Sequence, residues 1–222
     1  MTPAELDQAL RAGSARLGLD LSDAQLALLQ QYLGLLQKWG KVYNLTAVRD
    51  PADMVTHHLL DSLAVVVPLR RHAQAAGFSA MRVLDVGSGA GLPGVVIAIC
   101  CPEMAVSCVD TVAKKAAFIQ QVAVSLRLAN LRGIHARVEK LTTPFDLVTS
   151  RAFASLSDFV SWSEAALCPQ QGVWLAMKGR HPADELAALP PGVEVFHVEQ
   201  LQVPGLDAER CLVWMRRRTP SS

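Results

Sequence analysis

The sequence predicts an α/β chain in which helices wrap a mostly parallel sheet, with a helical segment before it and an antiparallel hairpin at its end. Three observations carry that expectation. Residues 1 to about 77 place apolar side chains at helical spacing. From Met81 onward, short β-like runs alternate with helical stretches, the pattern of a parallel sheet covered on both faces. The last two β-like runs are joined only by Pro204–Arg210. That connection is too short for a helical crossover, so these strands should pair antiparallel.

The elements follow in order. Thr2 with Glu5 forms a capping box, and Pro3 sits at the first helical position. Leu6, Leu10, Gly13 and Leu17 keep one face of this helix. Ser22 with Gln25 repeats the start signal, and Leu26, Leu29, Leu33 and Leu36 form a stripe toward Trp39, with Gly40 as the expected stop. Asp50-Pro51 opens a third helix, with Met54, Val55, His58, Leu59 and Leu63 on its apolar side and Pro68 expected to interrupt or end it. The stripes read as core packing. His57 and His58 are adjacent, so one should pack and the other cap or face solvent. A boundary is expected at 75–80, around Gly77, dividing a helical region 1–77 from a sheet domain 78–218 and a short tail 219–222.

Strands are expected at 82–86, 105–110, 131–136, 145–150 and 173–178, with helices starting near Pro93, Thr111 and Ser155 between them. The closing hairpin takes 193–203 and 211–217.

Composition excludes several classes. Of 222 residues, 51% are hydrophobic and 18% charged, enough for a buried core and unlike a disordered chain. No apolar run reaches the ~18 residues of a spanning helix, and the N-terminus lacks the basic start and apolar centre of a signal peptide. A cytoplasmic, monomeric protein with no membrane association is expected. The five cysteines form no C-x-x-C pair and no His/Cys ligand spacing, so they read as reduced core residues and no metal site is expected. A net charge of +1 does not advertise a nucleic-acid binder, so any RNA contact must come from a local patch.

The strongest signal is Val83-Leu84-Asp85-Val86-Gly87-Ser88-Gly89-Ala90-Gly91-Leu92-Pro93-Gly94. A buried strand enters a glycine-rich turn, and a helix starts behind it. Glycines let the backbone approach a ligand, and the helix start offers unpaired N–H groups. The loop satisfies both G-x-G-x-x-G and G-x-G-x-G, so alone it fits either a dinucleotide or S-adenosylmethionine. Asp85 favours the second, because a carboxylate at the strand end attracts a cationic amino group and repels a pyrophosphate. The expected hairpin agrees, since a dinucleotide dehydrogenase would continue its parallel winding. The fold expected is therefore the Rossmann-like class I S-adenosylmethionine-dependent methyltransferase.

Asp110, ending the second strand, is placed to accept hydrogen bonds from ribose hydroxyls. Val138 and Glu139, after the third strand, lie at the level of an adenine. Arg151, after the fourth, faces the ligand crevice. No Asn/Asp-Pro-Pro-aromatic motif follows the fourth strand, which disfavours methylation of an exocyclic base amine. Cys100-Cys101 falls at the far end of the first helix after the glycine loop, away from the crevice, which disfavours a nucleophilic cysteine.

Five blocks together resemble the bacterial small-subunit rRNA methyltransferase G family, also called glucose-inhibited division protein B. They are Asn44-Leu45-Thr46-Ala47-Val48-Arg49-Asp50, His58 followed by Leu60-Asp61-Ser62, the Asp85–Gly94 loop, Ser150-Arg151-Ala152-Phe153-Ala154-Ser155-Leu156, and Leu201-Gln202-Val203-Pro204-Gly205-Leu206. The resemblance covers nearly the whole chain. It implies methylation of 16S ribosomal RNA, naked or in the small ribosomal subunit, at N7 of guanine 527 in the 530 loop. It also implies that Gly87, Leu92, Val138, Glu139 and Arg151 line the cofactor site, beside the Asp85, Gly89, Gly91 and Asp110 read from the residues themselves. Lys140 departs from the family, which often carries a second acidic residue there. No general base is expected.

Two other readings remain beside this one: an NAD(P)-dependent oxidoreductase, and a non-catalytic RNA-binding assembly factor with a vestigial site. Asp85 and the hairpin disfavour the first; the intact loop with Asp110 disfavours the second. Basic clusters at Lys38, Lys41 and Arg49, at Lys114-Lys115, at Lys178 and Arg180, and at Arg216–Arg218 are candidates for RNA contact, with Lys178 and Arg180 preferred for their place at the strand ends.

Overall fold

The computed structural model describes residues 1–43, 45, 46, 48 and 50–218, the side chains of residues 41–43 excepted. Helix α1 (Pro3–Arg16) starts at the expected box, with the Glu5 N–H donating to Thr2 Oγ1 and the Thr2 N–H to the Glu5 carboxylate. Helix α2 (Asp23–Tyr43) begins after the reciprocal Ser22–Gln25 pair and runs past Gly40, because one glycine costs a helix only ~1 kcal/mol. Leu26, Leu29, Leu33 and Leu36 are all buried, each contributing about 2 kcal/mol of apolar burial.

Asp50 caps α3 (Pro51–Met54) by accepting from the Ala52 and Asp53 N–H groups. The chain then widens into a π-helical turn over Val55–Leu60, continues as α4 (Asp61–Leu63), and restarts as α5 (Val66–Ala75). The helix is interrupted near Pro68 as expected, but Pro68 itself does not break it. It lies instead in the first turn of α5, where its missing N–H is not needed, and the break falls before it. His58 is buried with Nε2 2.6 Å from Thr46 Oγ1, while His57 is exposed. Asn44, Ala47 and Arg49 of the block containing Thr46 lie outside the described residues, as does the tail 219–222.

Strands β1 (Arg82–Val86), β2 (Ala105–Asp110), β3 (Leu131–His135), β4 (Leu147–Arg151) and β5 (Val173–Lys178) are parallel. Between them run α6 (Gly94–Cys100), α7 (Ala113–Ser125) and α8 (Leu156–Ser163). A short α9 (Ala183–Ala187) precedes β6 (Val193–Leu201) and β7 (Arg210–Arg217). The sheet order is β3-β2-β1-β4-β5-β7-β6. The hairpin pairs antiparallel, and β7, not β6, joins β5. Strands β1, β4 and β5 are buried almost end to end because helices cover both faces, whereas edge strand β6 is half-exposed along its length.

One buried cluster joins α1, α2 and the segment from α3 to α5 to the sheet and α6, so the N-terminal helices share the core of the sheet domain. Tyr32, fully buried, donates its hydroxyl to the Ala90 carbonyl at 2.8 Å, and Gln25 Nε2 donates to the Cys100 carbonyl closing α6. These bonds fix α2 against both ends of the glycine loop and its helix. The order reverses between β1 and β4, and at such a switch point the loops diverge to leave a crevice at the strand carboxyl ends.

Candidate functional site

The crevice is a cleft of about 530 Å³ at the carboxyl ends of β1, β2 and β4. Gly87, Asp110, Val138 and Glu139 line it, together with Lys115, Phe153 and Trp162. The glycine loop reaches it because Gly87, Gly89 and Gly91 take φ values of 65°, 58° and 94°, which side-chain-bearing residues rarely adopt. A Cβ on Gly87 would run into the Phe153 ring, and one on Gly94 would meet Cys108 Sγ and the Asp85 carboxylate.

Asp85 is fully buried. Its Oδ2 accepts the Gly94 N–H at 2.8 Å at the head of α6, whereas Oδ1 has no protein partner. Burial pushes its pKa up to about 7, against the lowering pull of the Gly94 N–H and the Arg151 charge. An orphaned carboxylate oxygen beneath a glycine cradle suits an incoming cationic amino group, so the residues fit S-adenosylmethionine.

Asp110 holds the loop as well as facing the cleft. Its Oδ2 accepts the Gly89 N–H at 3.0 Å and its Oδ1 the Val112 N–H at 2.8 Å, with Lys115 Nζ 3.8 Å away. Each oxygen keeps a further lone pair for a hydroxyl donor. Val138 is buried and Glu139 exposed on the turn Val138–Lys140, and Lys140 is also exposed. Leu92 is buried in the main core cluster behind the loop.

Arg151 stands apart from the cleft wall. Its Nη1 donates at 2.8 Å to the His57 carbonyl and at 2.8 Å to Asp61 Oδ2. Arg210 Nε donates to the other Asp61 oxygen, also at 2.8 Å. Asp61, 3% exposed, thus ties the end of β4 and the start of β7 to the helix that follows the π turn. Burial lowers the pKa of His58 nearby, with the Arg151 charge adding to it.

The sequence gives no role to Phe153 or Trp162, places Lys115 only among the clusters for RNA contact, and does not mark Asp61 as the partner of Arg151. Phe153 and Asp61 stand inside quoted blocks, but Ala152 turns the chain with φ 51°, a conformation rare outside glycine that no residue type announces. Phe153 then packs edge-on to Trp162 with ring centroids 5.8 Å apart. Lys178, preferred for phosphate contact, donates at 2.7 Å to Glu185 and at 3.2 Å to the Ala154 carbonyl, so its charge is already compensated, while Arg180 is exposed. All five cysteines are free, four of them buried, and burial drives the Cys100 thiol up to about 12. Among the described residues no His/Cys/Asp/Glu group could hold a metal ion, and no helix is long and apolar enough to cross a membrane.

This sheet order with a glycine loop at its switch point defines the class I S-adenosylmethionine-dependent methyltransferase fold. Solved structures agree on the fold. TrmN from Thermus thermophilus superposes with a TM-score of 0.54 at 21% identity, over 71% of this chain and 49% of that one. The ribosomal protein L11 methylase of Lactobacillus delbrueckii subsp. bulgaricus gives 0.51 at 13% identity, over 70% and 80%. Residues 25–213 match the family described as rRNA small subunit methyltransferase G. A relative from Paracidovorax citrulli named Ribosomal RNA small subunit methyltransferase G is 69% identical, covering 96% of this chain and 90% of its own length. A second, from Acidovorax ebreus and bearing the same name, is 68% identical over 95% of each chain. The chain belongs to the rRNA small subunit methyltransferase G family and is a methyltransferase.

Proposed function

We propose that this chain methylates N7 of guanine 527 in the 530 loop of 16S ribosomal RNA, in the cytoplasm, with S-adenosylmethionine as donor. The observation that carries the reading is one cleft at the switch point that brings together Gly87, Asp110, Val138 and Glu139, in a chain of this family. The base and position rest on the motif resemblance. The N-terminal region 1–77 is the proposed RNA-facing and packing element of the chain, set on the sheet domain 78–218.

S-adenosylmethionine, when bound, supplies a methyl group on a sulfonium that is its own leaving group. Gly87, Gly89 and Gly91 let the backbone lie against it, with Leu92 supporting the loop from behind. Asp85 offers its free oxygen to the amino group, Asp110 accepts from the ribose hydroxyls, and Val138 with Glu139 takes the adenine. Arg151, anchored by Asp61, positions rather than transfers protons. Guanine N7 presents an in-plane lone pair and has no proton to lose, so the chain supplies alignment and no general base.

The test is a map of 16S rRNA methylation in cells with and without the gene, followed by complementation with the Gly87→Val chain. Loss of one 7-methylguanosine at the 530 loop, restored by the natural chain alone, is the expected result. An unchanged methylation map would overturn the reading, and tight NADH binding would favour an oxidoreductase.

A further inference from the structure

A second concave surface lies one face of α7 away from the cleft. The groove, about 460 Å³, runs between α2 and the start of α7 and is lined by Trp39, Ala113, Lys114, Ala117, Phe118 and Gln121. Its floor is aromatic, with Phe118 buried and Trp39 half-buried, and its rim is polar. Lys38 Nζ lies 5.4 Å from the centre of the Trp39 ring. The two flanks share a charge bias. Neither the last turns of α2, Gln37–Tyr43, nor the 13 residues of α7 contain an Asp or Glu, although 20 of the 222 residues are acidic. Among the described residues, neither Lys38 nor Lys114 enters an ion pair.

We infer that this groove takes an unstacked nucleotide of the RNA that flanks the target base, an inference that rests on the rRNA methyltransferase reading above. An aromatic face stacks on any base, and lysines at its rim meet the attached phosphate. A small floor whose described lining carries Lys114 and Gln121 and no acidic side chain fits a polyanion better than a protein partner, which would require a wider apolar area. The position is suited to the task. Ala113 and Lys114 wall the groove, while their neighbours Val112 and Lys115 wall the cleft, so one strand can cross the first turn of α7 with one nucleotide in each.

Steady-state methylation of 16S rRNA, with S-adenosylhomocysteine affinity measured by calorimetry, tests this. Trp39→Ala should raise the KM for RNA roughly tenfold or more, the loss typical of one base stack, with cofactor affinity unchanged. Trp39→Phe should restore most of that loss, because a smaller ring still stacks. Lys114→Gln should lower the slope of log affinity against log salt by about 0.7, the share of one single-strand phosphate. Ala117 is exposed, so Ala117→Glu leaves the fold intact while placing a carboxylate in the groove, and it should raise KM as strongly as Trp39→Ala. An unchanged KM and salt slope in folded Ala117→Glu, or a Trp39→Phe chain as impaired as Trp39→Ala, would overturn the inference. Absence of any methyl incorporation by the natural chain would instead overturn the parent reading.

Discussion

At the residue scale, the carboxylates at the ends of β1 and β2 sit in different environments. Asp85 is buried with one oxygen unpaired, and its pKa of about 7 means that the folded chain holds a proton there that the unfolded chain loses near pH 4. Stability of the cofactor-free protein therefore falls as pH rises from about 4 to about 7, by roughly 3–5 kcal/mol for this group. His58, buried, and His72, half-buried, have pKa values lowered by desolvation and tilt the lower part of that window the other way, so the diagnostic is a difference. Urea unfolding at pH 5 and pH 8 should show Asp85→Asn gaining on the natural chain as pH rises; parallel pH dependences would refute the assignment. Asp110 differs in kind, since both its oxygens already hold backbone N–H groups. Asp110→Ala should weaken S-adenosylhomocysteine binding by about 1–3 kcal/mol and also lower stability by a similar amount, because the Gly89 and Val112 N–H groups lose their acceptor. Unchanged affinity by calorimetry in the folded variant would reduce Asp110 to a clamp on the loop.

At the element scale, what was legible followed from local rules. Strands β1, β2 and β5 fall on their expected bounds because each is a short apolar run closed by turn residues. The capping box of Thr2 and the cap of Asp50 follow equally from residue type. The π turn at Val55–Leu60 and the place of Pro68 were not legible, since both are settled by packing of this segment against α1 and the sheet. The β4–α8 loop was half legible: its residues stood out, but not the left-handed Ala152 that swings Phe153 over Gly87. That turn carries strain of roughly 1 kcal/mol or more for a residue with a Cβ. Ala152→Gly should be neutral or stabilising by up to about 1 kcal/mol in thermal unfolding, whereas Ala152→Val should cost about 1–2 kcal/mol and loosen cofactor binding by displacing Phe153. Equal stability of the two variants would show that the turn is unstrained.

At the scale of the whole molecule, three groups whose burial shifts their titration, His58, His72 and Asp85, lie outside the lining of the cleft. His58 is buried against Thr46, His72 packs against Trp214, and Asp85 lies beneath the glycine loop with one oxygen on the Gly94 N–H. Asp61 is paired with Arg151 and Arg210, and each Asp110 oxygen already holds one backbone N–H. What converges on the cleft is therefore shape and charge, which suits a nucleophile that arrives with its lone pair free. On the proposed assignment a cofactor cation at the Asp85 oxygen would hold that carboxyl ionised, so its titration would belong to binding and leave turnover untouched. The apparent affinity for S-adenosylhomocysteine should accordingly weaken below about pH 7, toward tenfold per unit, while kcat at saturating cofactor and RNA stays level from about pH 6 to 9. A fall of kcat on acidification, removed by one His or carboxylate substitution that spares binding, would contradict this. It would assign the chemistry to a nucleophile that must first lose a proton, such as a ring N–H or a ribose hydroxyl.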